Sequence, residues 1–114
     1  FKHRFVLISD SMRATGMPDG QYTLGGQAVT VKGNKATLTE GGALAGSVTN
    51  LMDCMRNAVK DMGISLEDAV AAATINPAKS VGLDHKYGSI RQGKVGNLVL
   101  LDQNLEIQKV ILNG

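Results

Sequence analysis

One carboxylate in this sequence stands where a catalytic group would be expected. Asp10 follows the apolar run Phe5-Val6-Leu7-Ile8 after a single serine. A short apolar run without alternation is typical of a strand buried on both faces of a parallel sheet. Since α/β barrels carry their catalytic groups at the C-terminal ends of such strands, Asp10 could be a catalytic residue. The commoner role of an aspartate there is to cap a turn, and position alone does not decide between the two.

The other residues with chemical potential are weaker candidates. Residues 41–46 are rich in glycine and lead through Ser47 into a helical pattern. Backbone N–H groups at a helix start can hold an anion or a polar substrate, but a simple loop into a capped helix is favoured. His3 and His85 have no partners at metal-ligand spacing, so we expect both in solvated loops. Cys54 has no neighbouring histidine to activate it, and we expect it to pack.

The composition excludes several classes of protein. Hydrophobic residues make up 43% of the 114 residues and charged residues 19%, which is typical of a folded chain and not of a disordered one. The net charge of +2 is too small to predict nucleic-acid binding, and no apolar run reaches the roughly 18 residues of a membrane span. A single cysteine excludes an internal disulfide framework and fits a reducing, cytoplasmic setting.

The elements that would position these residues read as an α/β chain. The strand predicted over residues 5–9 needs parallel neighbours, and parallel pairing requires a crossover of a dozen residues or more. We therefore expect its neighbours upstream in a longer chain. A hairpin is predicted over residues 21–39 with its turn at Gly33-Asn34. Helices are predicted over residues 47–82 and two further strands over residues 98–101 and 107–112.

Particular residues mark the predicted helix ends. Ser47 is the expected N-cap of the first helix and Gly63 its expected end. Ser65 with Asp68 forms the pattern of a capping box for a second helix. Pro77 is expected at the first position of a third helix, which Gly82 is expected to end. The apolar face predicted for the first helix consists of Val48, Leu51, Met52, Met55, Val59 and Met62.

Three segments also carry a family resemblance. They are Val6-Leu7-Ile8-Ser9-Asp10-Ser11-Met12-Arg13-Ala14 with Gly16-Met17-Pro18-Asp19-Gly20-Gln21-Tyr22, then Gly42-Ala43-Leu44-Ala45-Gly46-Ser47, then Gly88-Ser89-Ile90 with Gly93-Lys94-Val95-Gly96-Asn97-Leu98-Val99-Leu100-Leu101-Asp102. In this order they resemble the N-acetylglucosamine-6-phosphate deacetylases of the amidohydrolase superfamily, over essentially the whole chain. The third segment is shared across the superfamily, whereas the first two resemble the deacetylases in particular.

The resemblance implies a fold. It is a (β/α)₈ barrel accompanied by a small β-sandwich domain built from both chain ends. Residues 1–87 would then be the end of the barrel domain, with the last barrel strand, an inserted hairpin and the closing helices. Residues 88–114 would be the C-terminal part of the β-sandwich domain. The chain would be the carboxyl-terminal part of a larger enzyme.

The resemblance also implies a reaction. N-acetylglucosamine 6-phosphate would be hydrolysed to glucosamine 6-phosphate and acetate by a water activated on a divalent metal ion, zinc or similar. Asp10 would serve as general base and then general acid, and Leu44, Ala45 and Gly46 would contact the substrate. The family's metal ligands, a glutamate and two histidines, come from earlier barrel strands, and no residue here matches them. We therefore expect no metal in this chain and no activity from it alone.

Two alternatives stay open at this point. The chain could belong to another amidohydrolase branch, such as a dihydroorotase-like or deaminase-like enzyme, although the Met17-Pro18-Asp19-Gly20 loop argues against this. It could also be a non-catalytic domain that forms dimers, because an unpaired apolar strand tends to pair with another. A homo-oligomer is expected, with no nucleic-acid or membrane partner.

Overall fold

The structure, a computed structural model, describes residues 3–114. The chain divides into two compact units, one formed by residues 8–54 and the other by the residues before 8 together with 55–114. The predicted assignment of residues 1–87 begins with Phe1 and Lys2, which lie outside the described residues.

The unit of residues 8–54 is built on an antiparallel sheet of four strands. Their order in the sheet follows the chain: β1 Gly20–Leu24, β2 Gln27–Lys32, β3 Lys35–Leu38 and β4 Leu44–Gly46. Lys32 pairs with Lys35, so the two-residue turn at Gly33-Asn34 is confirmed. Gly25 and Gly26 form the tight turn between β1 and β2, with φ of 56° and 84°. Two positive φ values in succession favour glycine there.

A small apolar core lies against this sheet. Val29 and Val31 point to one face of β2, with Ala36 of β3 beside them, and all three are buried. Met12 and Ala14, from the segment that follows Asp10, complete the cluster. The core therefore ties the backbone just beyond the candidate carboxylate to the hairpin.

The other unit contains most of the helical structure. Helix α1, Leu51–Lys60, crosses the division between the units, and α2 Leu66–Ala73 and α3 Ile75–Ser80 follow. The Ser65 hydroxyl accepts a hydrogen bond from the Asp68 N–H at 3.2 Å, which confirms the predicted cap of α2. At the end of α3, Gly82 has a φ of 72°, and the Leu83 N–H bonds the Ala78 carbonyl at 2.8 Å. Gly82 therefore ends this helix as predicted.

Two predictions about the helix starts are wrong. Helix α1 begins at Leu51, and its cap is Asn50, whose Oδ1 accepts the Asp53 N–H at 2.9 Å. Ser47 instead accepts the Thr49 N–H at 3.2 Å, because its own backbone is paired with another segment. Helix α3 begins at Ile75, so Pro77 is its third residue and not its first.

The predicted apolar face of α1 is only partly correct. Met55 is buried as predicted, and Ala58 is buried beside it. Val48 lies before the helix and packs against the core of the sheet, and Leu51 and Met62 are 40% and 68% exposed. Met62 lies beyond the last helical turn, where the helical spacing no longer applies.

The strand predicted over residues 5–9 is absent from the structure. The Leu7 N–H donates to the Ala72 carbonyl at 2.9 Å, and Asn76 Nδ2 donates to the Phe5 carbonyl at 2.8 Å. Residues of α2 and α3 thus bond backbone groups of this segment that a parallel strand would use to pair with its neighbours. Asn76 is buried, at 4% exposure, so its amide is committed to this contact.

The last two strands form a separate ribbon. β5 Leu98–Leu101 pairs antiparallel with β6 Ile107–Ile111, one residue shorter than predicted for the second strand. Arg56 Nε donates to the Leu105 carbonyl at 2.9 Å and Lys60 Nζ donates to the Asn104 carbonyl at 3.0 Å, so α1 holds the turn of the ribbon. The apolar strand residues themselves stay largely exposed: Val99 54%, Leu100 60% and Val110 54%.

Lys94 organises the loop that precedes this ribbon. Its ammonium group donates to the Asp84 carbonyl, to the Ser89 hydroxyl at 2.7 Å and to the Tyr87 carbonyl at 3.4 Å. Three donors on one cation therefore satisfy three acceptors in residues 84–89. Sequence reasoning treats Lys94 only as part of a family motif, whereas the structure shows a half-buried cation inside a loop.

Replacing this cation should destabilise the chain. We expect Lys94→Met to lower the free energy of unfolding by about 2 kcal/mol, because charge-assisted hydrogen bonds are lost and carbonyl groups are left unpaired. Urea denaturation followed by circular dichroism measures this. The control is Lys79→Met, at an exposed lysine of α3, which should change the free energy by no more than about 0.5 kcal/mol. Equal effects of the two variants would show that the Lys94 contacts do not stabilise the loop.

Candidate functional site

Two segments singled out in the sequence come together in the unit of residues 8–54. Ser11 forms a single parallel bridge with Ser47, and the Met12 N–H donates to the Ser47 carbonyl at 2.8 Å. Asp10 immediately precedes Ser11, and strand β4, Leu44–Gly46, runs directly into Ser47. The candidate carboxylate and the candidate substrate-contacting segment are therefore neighbours, although more than 30 positions separate them in the sequence.

Asp10 has an unusual backbone and a free side chain. Its φ is 48°, in the left-handed region that few residues other than glycine adopt. Such a conformation costs on the order of 1 kcal/mol and persists only where surrounding contacts impose it. The side chain is exposed, and within residues 3–114 its carboxylate forms no hydrogen bond. Both oxygens are thus open to accept a proton or a hydrogen bond from a bound molecule.

Hydroxyl groups flank Asp10 on both sides. The Ser11 hydroxyl donates to the Thr49 carbonyl at 2.6 Å, and its Oγ lies 2.8 Å from the Oγ of Ser9. Together with the bond from the Met12 N–H to Ser47, these contacts anchor the chain just after Asp10 to residues 47–49. Sequence reasoning missed the roles of Ser9, Ser11 and Thr49. The two serines beside Asp10 are visible in the sequence, but the partner at Thr49 is not.

The substrate-contacting candidates have distinct environments. Leu44 is 76% exposed, whereas Ala45 and Gly46 are half-buried. A Cβ atom at Gly46 would lie 3.3 Å from the Met12 sulfur, closer than ordinary van der Waals contact. Glycine at this position lets the core methionine approach β4, and the same methionine follows Asp10 by two residues. Packing as well as hydrogen bonding therefore connects the two parts of the site.

The remaining sequence candidates are His3, His85 and Cys54. His3 and His85 are exposed, as expected. Cys54 is half-buried, with its Sγ 3.8 Å from the Ile8 carbonyl, a geometry that fits a weak thiol donor. Within the unit of residues 8–54, Cys54 makes no hydrogen bond to Asp10.

The residues present do not fit a metal centre. No group of three His, Cys, Asp or Glu side chains within residues 3–114 is arranged to hold an ion. Asp10 is an oxygen donor, but a divalent cation requires several ligands that converge on it.

No helix in the described part of the chain has the length and apolar character needed to cross a membrane.

Comparison with known proteins places the chain in a family. Residues 17–114 match the family model described as the amidohydrolase family, which is most of the chain. The chain belongs to the amidohydrolase family. The match begins beyond Asp10, so this comparison does not itself cover the candidate carboxylate.

Individual amidohydrolases are similar over nearly the whole chain. An N-acetylgalactosamine-6-phosphate deacetylase of Escherichia coli O157:H7 is 40% identical over 113 residues, which is 99% of this chain and 30% of the relative. An N-acetylglucosamine-6-phosphate deacetylase of Vibrio furnissii is 40% identical over 111 residues, 97% of this chain and 28% of the relative. The chain thus spans about a third of the length of these amidohydrolases.

A solved amidohydrolase structure shares the fold. A mutant N-acetyl-D-glucosamine-6-phosphate deacetylase of Mycobacterium smegmatis, in complex with N-acetyl-D-glucosamine-6-phosphate, superimposes with a TM-score of 0.85 at 33% identity. The match covers 100% of this chain and 30% of that protein. An amidohydrolase-type α/β fold follows from this agreement.

Proposed function

We propose that this chain is part of an enzyme that hydrolyses N-acetylglucosamine 6-phosphate to glucosamine 6-phosphate and acetate. One observation carries the proposal: the Ser11–Ser47 bridge brings Asp10 next to the segment Leu44–Gly46. Asp10 is exposed there, and its backbone is in the left-handed region. The names of the similar deacetylases from Vibrio furnissii and Mycobacterium smegmatis support the substrate. The same names disfavour a dihydroorotase-like or deaminase-like enzyme.

Asp10 is the proton-transfer group in this proposal. Hydrolysis of an amide needs a group that takes a proton from the attacking water and delivers one to the leaving amine. A carboxylate with both oxygens open can do this, and the Asp10 carboxylate makes no hydrogen bond within residues 3–114. Leu44, Ala45 and Gly46 would contact the sugar phosphate beside it. Leu44 is the most exposed of the three, so its side chain is open to such a contact.

A divalent metal ion, zinc or similar, is expected in the enzyme from its family. The side chains of residues 3–114 supply no ligand set for it, so we derive no step of the reaction through a metal here. The ion would be held by residues of a longer protein, of which this chain would form the carboxyl-terminal part. We call that longer protein the parent enzyme.

The arrangement of the chain within the parent enzyme is also a proposal. Residues 1–87 would be the end of a (β/α)₈ barrel domain, and residues 88–114 would be part of a small β-sandwich domain. The separate β5–β6 ribbon supports the second assignment, since its apolar strand residues are exposed and would be covered in a sandwich. The single cysteine favours a cytoplasmic location. Formation of homo-oligomers, and the alternative of a stand-alone dimerising domain, stay predictions.

A second substrate deserves testing beside the first. The relative from Escherichia coli O157:H7 carries the name of an N-acetylgalactosamine-6-phosphate deacetylase and is as similar to this chain as the relative from Vibrio furnissii. The two substrates differ only in the configuration at C4 of the sugar, so the same proton chemistry would serve both.

The experiment compares acetate release by the parent enzyme and by the 114-residue chain. We expect the parent enzyme with added zinc to hydrolyse N-acetylglucosamine 6-phosphate, with a larger kcat/KM than for the galactosamine epimer. We expect no release by the 114-residue chain under the same conditions. A preference for the epimer would move the proposal to the second substrate, and turnover by the 114-residue chain would contradict the need for other segments. No turnover of either sugar by the parent enzyme would refute the proposed reaction.

A further inference from the structure

The backbone at Asp10 needs an explanation that the proposed reaction does not provide. Asp10 holds a φ of 48° although its own side chain makes no hydrogen bond within the described residues. Aspartate often stabilises a left-handed backbone through a local side-chain hydrogen bond. Here that support is missing, so contacts of the neighbouring residues must impose the conformation.

Ser11 makes those contacts. Its hydroxyl donates to the Thr49 carbonyl at 2.6 Å, its backbone pairs with Ser47, and its Oγ is 2.8 Å from that of Ser9. The next backbone N–H, of Met12, is bonded to the Ser47 carbonyl at 2.8 Å. Ser11 and Met12, the two residues after Asp10, are thus both bonded to Ser47, while the Asp10 carboxylate stays open to solvent.

We propose that Ser11 is a positioning residue, whose hydroxyl bond to Thr49 holds Asp10 in the backbone conformation from which its carboxylate transfers protons. This inference rests on the proposed function, because it assigns to Ser11 a role in the reaction of Asp10. Ser11 would then affect the rate of the reaction and not only the stability of the loop. The carboxylate keeps its hydrogen-bonding capacity free, since the neighbouring hydroxyl provides support that the Asp10 side chain does not.

Three variants of the parent enzyme test the inference. Ser11→Ala should lower kcat by about tenfold with KM changed less than twofold, since a misplaced catalytic group slows the chemical step more than it weakens binding. Ser11→Thr keeps the hydroxyl and should stay within twofold of the unaltered enzyme. Thr30→Val is the matched control, because it removes the exposed hydroxyl contact of Thr30 with Thr39 at 2.9 Å in the same unit and should leave kcat unchanged.

Measurement well below the thermal midpoint of every variant separates positioning from folding. If Ser11→Ala does not fold, Ser11→Cys replaces it, and its weak thiol donor should give a loss of about threefold to tenfold. A kcat for Ser11→Ala equal to that of the unaltered enzyme would overturn the inference, as would a Ser11→Thr enzyme as slow as the alanine variant.

Failure of the inference can be told apart from failure of the proposed function. An Asp10→Asn enzyme measured in the same series shows whether Asp10 takes part in the reaction. If Asp10→Asn is inactive and Ser11→Ala is unaffected, only the role of Ser11 is refuted. If Asp10→Asn is fully active, the proposed role of Asp10 is refuted, and the inference about Ser11 with it.

Discussion

Asp10→Asn in the parent enzyme is expected to lower kcat for deacetylation by about a thousandfold, within the range of 10² to 10⁴ known for loss of a general acid–base. Asparagine has nearly the shape of aspartate and tolerates a left-handed backbone, here a φ of 48°. It cannot accept the proton of a water molecule. The substitution therefore removes the proton chemistry while preserving the conformation. Acetate release measured across substrate concentrations gives kcat and KM separately.

A matched carboxylate serves as the control for this prediction. Asp61 is exposed and lies just beyond helix α1, so Asp61→Asn removes one negative charge from the surface without touching the site. Its kcat should equal that of the unaltered enzyme. A small loss for Asp10→Asn, similar to that for Asp61→Asn, would mean that Asp10 takes no part in the reaction. The exposed side chain predicts little change in thermal midpoint for either variant.

Gly88→Ala is expected to have the largest effect on stability. Gly88 has a φ of 88°, and a Cβ atom there would lie 2.9 Å from the Ile75 Cα and 3.0 Å from both the Ala78 Cβ and the Thr74 carbonyl oxygen. Backbone atoms of a helix start cannot move aside as a flexible side chain can. We expect a loss of about 4 kcal/mol, the sum of backbone strain and overpacking. Such a loss is a large part of the stability of an ordinary domain.

Gly93→Ala separates the two contributions to this loss. Gly93 has a nearly identical φ of 87°, but a Cβ atom there would meet nothing within 4 Å. This variant should lose only the strain, about 1 kcal/mol. Urea denaturation of both variants measures the difference directly, and that difference is the cost of the contact with α3. Equal losses would show that Gly88 is required for its backbone conformation alone.

The sequence predicts much of the local structure correctly, because the responsible forces act over a few residues. The turn at Gly33-Asn34, the cap at Ser65 and the end of α3 at Gly82 are found where the pattern predicts them. Each depends on a side chain or a φ value within one turn of backbone. The family motifs likewise indicate the amidohydrolase family, and the match over residues 17–114 agrees.

Predictions that depend on distant partners are the ones that fail. The apolar run at residues 5–8 has the composition of a buried strand, yet its hydrogen bonds go to Ala72 and Asn76, far along the chain. Ser47 has the properties of an N-cap, but its pairing with Ser11 leaves that role to Asn50. The local composition of a segment does not show which distant residue will hydrogen-bond its backbone groups.

The candidate site shows the same division between sequence and tertiary structure. The sequence by itself determined the types of residue available: a carboxylate at Asp10, serines on both sides of it, and a small-residue segment at Leu44–Gly46. Only the tertiary structure decided that Ser11 pairs with Ser47 and bonds Thr49, which brings the two segments together and holds Asp10 in a left-handed backbone. The physical reason is that a hydrogen bond across more than 30 residues depends on how the hairpin between them folds and packs on Met12.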